Sequence, residues 1–333
     1  MMKSLIQKLV ETTGPSGYET QIRKAIRSEI EASADDIKVD ALGNLIAFKG
    51  ESSSDGKKIM LAAHMDEIGI IATHIDESGF VRFSPIGGVY RGNCIGGRVR
   101  FLDGTPGVIG HELMDDPNKV PAFSKMYIDV GSQSRADCPI RVGDVAAFER
   151  PFSEYGERLV AKAMDDRIGV AVLIETLRRL KKSSNQVFFV FSVQEEVGLR
   201  GATTAAYGLD PDIGIAIDVT RSGDTPKGVK MDVSLGKGPA IKVRDGGMLS
   251  DPRVVDWMVS TAERKKIPYQ LEVLESGTTD ARAMQLTRAG VPAGCVSIPC
   301  RYVHAPSEMV DLKDVQNAVN LLLSLVEQKV KID

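Results

Sequence analysis

Two adjacent glutamates, Glu195 and Glu196, follow a short apolar run, Val187–Val193, with one residue between. The run is β-branched or aromatic except for Ser192, which is typical of a buried strand in a parallel sheet, and it is too short to span a membrane. Ligands of open α/β sheets bind at the carboxyl edge, and adjacent side chains point different ways. One glutamate can therefore hold a ligand while its neighbour does chemistry. A solvated charged turn explains this pair alone equally well.

A second apolar strand, Lys58–Ala63, is followed by His64 and Asp66. Residues two apart in an extended chain share a face, so the Asp66 carboxylate can orient the imidazole of His64. Metal sites commonly use such a carboxylate behind a histidine ligand. A histidine that is only hydrogen-bonded within the fold remains the alternative at this position.

Two aspartates, Asp165 and Asp166, precede a segment with helical apolar spacing, Ile168–Leu180. Capping of the helix N-terminus explains one aspartate but not both. One of the two carboxylates is therefore available for a ligand, and the sequence leaves open which one.

Two further strands also end in residues of ligand type. Asp218 follows Ile213–Ile217, and His304 comes shortly after Gly294–Ile298. If all these side chains converge, two imidazoles and three carboxylates suit two divalent cations about 3.5–4 Å apart, with one carboxylate bridging them. A further glutamate would then remain free as a base.

The composition narrows the classes of partner. The 333 residues are 43% hydrophobic and 26% charged, enough for a sizeable core, and the formal net charge is −3. The pI is near 5.9, so the composition gives no sign of a basic surface that would bind nucleic acid or anionic membranes. Small or peptide-like partners are therefore expected. The first residues lack the apolar core of a signal peptide, and the four cysteines show no metal-knuckle spacing, so we expect a cytoplasmic protein.

The secondary-structure pattern predicts an α/β fold with an insertion. Apolar strands alternate with helical segments in residues 1–67 and 160–333, which we assign to one discontinuous α/β domain. Residues 68–159 instead show short β-type runs separated by glycine, aspartate and proline. This spacing predicts a small antiparallel, barrel-like β domain inserted between two strands. The glycine-rich segment Arg221–Gly247 is predicted to be loop-rich, with one edge strand at most.

Together the motifs resemble a known family, the M42 metallo-aminopeptidases, over nearly the whole chain. The residues that carry the resemblance are Gly14–Gly17, Ala63–Gly69, Lys162–Arg167, Gln194–Gly198, Asp218 and Tyr302–His304. The resemblance implies a mixed-sheet αβα metallopeptidase domain with the β insertion as a dimerisation domain. It also implies dimers that assemble into a hollow dodecamer.

The resemblance assigns metal ligands to positions of this chain. His64 and Asp218 would hold one metal ion, Glu196 and His304 the other, and Asp165 would bridge the two. Zinc and cobalt both suit these ligands.

The resemblance also assigns the other roles. Glu195 would be the general base and Asp66 the residue that orients His64. Asp166 would shape its turn through a cis peptide. Metal-bound hydroxide, formed because cations lower the pKa of a bound water, would cleave the N-terminal residue from short peptides. Thr278 and Arg282 change the substrate pocket, so we expect a neutral or broad preference rather than a glutamyl one.

Three other functions compete with this interpretation. A deacylase or carboxypeptidase could use the same two-metal site. A glycosidase such as an endoglucanase also uses paired carboxylates, but these flank the bond from roughly 5–9.5 Å apart, whereas Glu195 and Glu196 are chain neighbours. A non-catalytic assembly subunit is disfavoured because every expected catalytic position is filled.

Overall fold

The computed structural model describes residues 2–50, 56–330 and 332. The helical segment predicted at Ile168–Leu180 is confirmed as part of a helix that ends one residue earlier, at Arg179. The α-helices are α1 (Met2–Glu11), α2 (Thr20–Ile30), α3 (Met164–Arg179), α4 (Arg200–Leu209), α5 (Pro252–Lys265), α6 (Asp280–Gln285) and α7 (Leu312–Val326).

The strands of the described residues form one large mixed sheet and one closed barrel. They are β1 (Asp36–Val39), β2 (Leu45–Lys49), β3 (Lys58–His64), β4 (Gly69–Ile75), β5 (Val81–Ile86), β6 (Arg98–Phe101), β7 (Pro106–His111), β8 (Met126–Asp129), β9 (Val145–Phe148), β10 (Ser153–Tyr155), β11 (Arg158–Ala161), β12 (Gln186–Ser192), β13 (Ile213–Arg221), β14 (Ala240–Arg244), β15 (Gln270–Val273), β16 (Ala293–Arg301) and β17 (Glu308–Asp311).

The centre of the large sheet is parallel. The strand order is β1-β2-β12-β3-β13-β16-β17-β11-β10, and β12, β3, β13 and β16 pair in parallel. Ser192 of β12 pairs with His64 of β3, and Ala216 of β13 pairs with Ala62 of β3. This register puts Asp218, two residues after Ala216, level with His64. The candidate residues therefore meet at one edge, as ligands do in open α/β sheets.

Both faces of this sheet are covered by helices. Along β3, Ile59, Leu61 and Ala63 pack into the apolar core that α1, α2, α3 and α7 share, whereas Met60 and Ala62 pack against α4 and α6. This alternation follows from the two-residue period of a strand. The αβα arrangement confirms the predicted mixed-sheet fold.

The inserted segment contains the barrel. Six strands close it in the order β4-β5-β8-β7-β6-β9, with antiparallel pairing throughout. Its interior is a separate apolar core that includes Ile70, Phe83, Phe101 and Ile128. The strands that close the barrel lie between Gly69 and Phe148, and β10 and β11 already belong to the large sheet. The division of the chain at residues 67 and 160 stays a prediction.

One local prediction is wrong. The segment Arg221–Gly247 was expected to contribute an edge strand at most, but β14 lies between β15 and β16 and pairs with both. Each partner of β14 is distant in sequence, so no local pattern signals the pairing.

Among the described residues, no helix has the length and apolar character needed to cross a membrane.

Candidate metal centre and catalytic cavity

A cavity of about 420 Å³ opens at the carboxyl edge of the four parallel strands. It brings together six of the seven predicted site residues: His64, Asp165, Glu195, Glu196, Asp218 and His304. The seventh, Asp66, lies fully buried behind His64.

The Asp66 carboxylate connects three parts of the chain. One oxygen, Oδ1, lies 3.4 Å from Nδ1 of His64 and accepts the backbone N–H of Glu195 at 3.0 Å. The other, Oδ2, accepts the hydroxyl of Ser16 at 2.6 Å and the backbone N–H of Glu196 at 3.2 Å. Burial raises the pKa of Asp66, but the hydrogen bond and charge of His64 and the hydrogen bonds from Ser16 and Glu195 together outweigh it, and the pKa is lowered. Asp66 therefore fixes the His64 ring and the turn that carries both glutamates.

Asp165 lies between the two imidazoles. Its Oδ1 is 3.0 Å from Nε2 of His64, and its Oδ2 is 3.3 Å from Nε2 of His304. The same His304 nitrogen lies 3.3 Å from Oε2 of Glu196. One carboxylate thus faces both histidines, which reach the cavity from opposite sides.

Two overlapping groups have donor atoms within 4.8 Å of one another. His64, Asp165 and Glu196 form one, and His64, Asp166 and Asp218 form the other. Imidazole nitrogen and carboxylate oxygen are the ligand atoms that zinc and similar divalent ions accept. The donor set fits a metal centre of one or two cations.

Asp166 differs from its neighbour in its surroundings. The Asp165–Asp166 peptide is cis. Asp166 Oδ1 accepts the backbone N–H of Gly169 at 3.0 Å, while its buried Oδ2 has no hydrogen-bond partner among the described residues. Asp166 does not line the cavity. Its contacts fit a residue that shapes the start of α3.

The charges of the site favour a cation. Burial lowers the pKa of both histidines, but their carboxylate neighbours raise it more. Asp165 and Asp66 raise the pKa of His64 well above its usual range. Asp165 and Glu196 raise the pKa of His304 to about 12. The pKa of Asp165 is lowered by the same two imidazoles against the effect of burial. Positive charge held between these groups is therefore strongly stabilised, and a divalent cation meets the same demand.

The two glutamates have different partners. Glu196 contacts His304, whereas no described group donates a hydrogen bond to the carboxylate of Glu195. Burial raises the pKa of both, and the pKa of Glu195 is raised well above its usual range. Glu195 therefore lines the cavity with its carboxylate uncommitted.

Glu308, at the start of β17, is a site residue that the sequence analysis missed. Its buried carboxylate accepts the backbone N–H of Asp165 at 3.0 Å and that of His304 at 2.7 Å. It thus ties two predicted ligands, which are distant in sequence, to one anchor. The available signal was a carboxylate at the start of a four-residue strand that also ends in a carboxylate, Asp311, and such short segments are common in loops.

The barrel reaches the cavity through the turn after β5. Gly88 lines the cavity, and a Cβ at this residue would collide with the ring of His304. A Cβ at Gly87 would lie 3.1 Å from Cβ of Glu196. The wall of the metal centre therefore includes backbone from the inserted segment.

Comparison with known proteins agrees with this geometry. Residues 43–321 match the family described as M42 glutamyl aminopeptidase. A putative aminopeptidase of Acetivibrio thermocellus is 48% identical over 327 residues, 98% of each chain. The lysyl aminopeptidase of Pyrococcus furiosus is 37% identical and covers 99% of this chain and 98% of its own.

Solved structures show the same fold. An aminopeptidase from the archaeon Desulfurococcus kamchatkensis superposes with a TM-score of 0.94 at 43% identity, covering 98% of this chain and 94% of that one. The TET1 peptidase of Pyrococcus horikoshii, described as able to assemble into a tetrahedron or a large octahedral shell, has a TM-score of 0.90 at 34% identity, with 98% and 99% covered. The chain therefore belongs to the M42 family of aminopeptidases, which are hydrolases.

Proposed function

We propose that this protein removes N-terminal residues from short peptides at a centre of two divalent cations. The observation that carries the proposal is the position of Asp165, whose two carboxylate oxygens face His64 and His304 separately. A carboxylate placed in this way suits a bridge between two metal ions.

We assign the ligands on this basis. His64 and Asp218 would hold one ion, Glu196 and His304 would hold the other, and Asp165 would bridge the two. The grouping of Asp166 with His64 and Asp218 is the alternative for the first ion. Bound zinc or cobalt would supply Lewis acidity toward the scissile carbonyl and a water of lowered pKa.

Glu195 is the general base in this proposal. Its carboxylate lines the cavity and has no competing donor, while its backbone is held by Asp66. It takes a proton from the attacking water and returns it to the leaving amine. Asp66 keeps the His64 ring in one orientation through Nδ1, which leaves Nε2 directed toward the centre.

The activity can be tested with free and N-acetylated aminoacyl-p-nitroanilides. We expect turnover of the free-amine compounds only, abolished when a chelator removes the metal and restored by zinc or cobalt. A panel of N-terminal residues measures the side-chain preference in the same assay.

Other outcomes would contradict the aminopeptidase proposal. Turnover of the N-acetylated compounds alone would indicate a deacylase on the same site. Hydrolysis of a soluble cellulose without any peptide turnover would support the endoglucanase alternative. Metal-loaded protein that turns over none of these substrates would indicate a non-catalytic subunit.

Glu195→Gln should lower kcat by about 10²–10⁴-fold, since a side-chain amide cannot accept the proton. The fold and the metal content should not change, because Glu195 is not among the proposed ligands. Steady-state kinetics and elemental analysis of the same preparation check both expectations. A kcat close to that of the unmodified enzyme would remove Glu195 from the mechanism.

Glu308→Gln should weaken metal binding by about 10–100-fold, the size found for groups that position metal ligands. Gln retains one acceptor oxygen, so one of the two backbone N–H groups loses its partner. Titration of metal-free protein with Co²⁺, followed by visible absorbance, measures the affinity.

Asp314→Asn is the matched control for this variant. The Asp314 carboxylate accepts the backbone N–H groups of Gly236 and Gly238 at 2.6 and 2.7 Å, but it lies outside the cavity. It should leave Co²⁺ affinity unchanged. Equal affinities in Glu308→Gln and the unmodified protein would show that Glu308 does not position the ligands.

We also propose that the protein forms dimers through the inserted segment and assembles into a dodecamer. The assembled TET1 structure supports this, as do the exposed apolar side chains of Leu113 and Val142 in the inserted segment. A subunit contact through the inserted segment would cover these apolar groups.

Light scattering should give a mass of about 430 kDa, twelve copies of the 36.0 kDa chain. The double substitution Leu113→Glu and Val142→Glu should reduce the mass, because burying two carboxylates at a contact is costly. Leu271→Glu, on the exposed face of β15, serves as the control. Loss of assembly in that control alone, or a monomeric unmodified protein, would contradict the proposed role of the insertion.

A further inference from the structure

A second cavity, of about 560 Å³, adjoins the catalytic cavity between α4 and α6. The two share three lining residues, Gly198, Leu199 and Arg282. We call the second cavity the α4–α6 groove. The two cavities therefore adjoin at these residues, so a ligand that extends from the catalytic cavity past Arg282 can continue into this groove.

Arg282 is the charged residue at the junction. Its side chain is exposed, and it has no hydrogen-bond or ion-pair partner in the part of the chain that the structure describes. Its stem passes over Gly247, where a Cβ would lie 2.9 Å from Cδ of Arg282. The guanidinium is therefore directed to this position by packing of its stem and remains available to an anion.

The other cations along the catalytic cavity are engaged. Arg221 donates to the hydroxyl of Tyr90 at 2.8 Å, and the buried Lys242 donates to Glu272 at 2.7 Å. The carboxylates that line the catalytic cavity are those of three proposed metal ligands and of the proposed base: Asp165, Glu196, Asp218 and Glu195.

The α4–α6 groove has no carboxylate in its lining. Its other cation, Arg288, pairs with Asp210 at 3.2 Å and lies over the ring of Tyr207 at 4.2 Å. Arg282 is therefore the cation along the path whose side chain has no partner among the described residues, and its positive charge favours an anionic group on the ligand.

We infer that Arg282 binds the C-terminal carboxylate of short peptide substrates and that the α4–α6 groove receives the residues that follow the scissile bond. The inference rests on the proposed function. An aminopeptidase needs room for one residue before the scissile bond and a path outward for the remainder. The groove supplies that path, and Leu199, Tyr207 and Leu286 offer apolar contacts along it.

Under this inference, binding depends on the length of the peptide. Arg282 lines the same cavity of about 420 Å³ as the proposed metal ligands, and an extended residue spans about 3.3 Å, so only a few residues would separate the scissile bond from a carboxylate that pairs with Arg282. Longer peptides carry their carboxylate past Arg282 along the groove, and they gain nothing from the pair. The site therefore favours short peptides with a free carboxyl group.

The test compares di-, tri- and tetrapeptides of alanine and leucine as free acids and as C-terminal amides. The unmodified enzyme should show a higher kcat/KM for the acid than for the amide at one or more of these lengths. Arg282→Gln should lower that ratio about fivefold, as expected for an exposed charge pair. Leu286→Glu should lower it as well, by repelling the carboxylate.

Arg253→Gln is the control. Arg253 is an exposed arginine on α5 that pairs with Asp251, outside both cavities, and its substitution should leave the ratio unchanged. An acid-to-amide ratio that Arg282→Gln does not alter at any length would overturn the inference. The same comparison is made with peptides that begin with Asp or Glu, and a loss confined to these would also overturn the inference, since Arg282 would then bind the first side chain.

Alanyl-p-nitroanilide, which has no C-terminal carboxylate, separates this inference from the proposed function. Its turnover by the unmodified enzyme, together with an unaltered acid-to-amide ratio in Arg282→Gln, would refute only the role of Arg282. Absence of its turnover with every metal would refute the aminopeptidase proposal, and the inference about Arg282 would be refuted with it.

Discussion

The buried carboxylate of Asp66 is the contact on which the geometry of the cavity depends. It has four partners: the His64 ring, the Ser16 hydroxyl, and the backbone N–H groups of Glu195 and Glu196. A buried charge is tolerated only when it is paired and hydrogen-bonded, and here each partner also belongs to the site or its support. The cost of burying Asp66 is thus offset by the interactions that hold the ends of β3 and β12 together.

Glu308 is a second buried carboxylate that holds residues of the cavity in place. Its carboxylate accepts N–H groups from Asp165 and His304, so it fixes the backbone of two residues rather than their side chains. Asp66 and Glu308 do not line the cavity themselves. Residues that line the cavity are therefore held by carboxylates behind them, which is a common way to keep metal ligands in place.

The sequence predicts the strands of the site well because each is an apolar run that ends in polar residues. The apolar runs before His64 and before Glu195 were enough to predict a strand at each of these places. Asp165 could not be chosen over Asp166 in this way, since the choice depends on which carboxylate faces His304 across the cavity. Glu308 gave no pattern because β17 has four residues. The free guanidinium of Arg282 could not be predicted either, since the absence of a partner depends on every neighbouring element.

Gly88 lies where the backbone of the inserted barrel segment meets the cavity of the large-sheet domain. With no Cβ between the barrel backbone and the imidazole of His304, the metal centre and the seating of the barrel are mechanically coupled. Any contact that favours one seating of the barrel must also favour the cavity shape that goes with it, and occupancy of the cavity must favour that seating in return. In the proposed assembly, subunit contacts of the barrel and ligand binding in the cavity would be thermodynamically linked through the close contacts at Gly87 and Gly88.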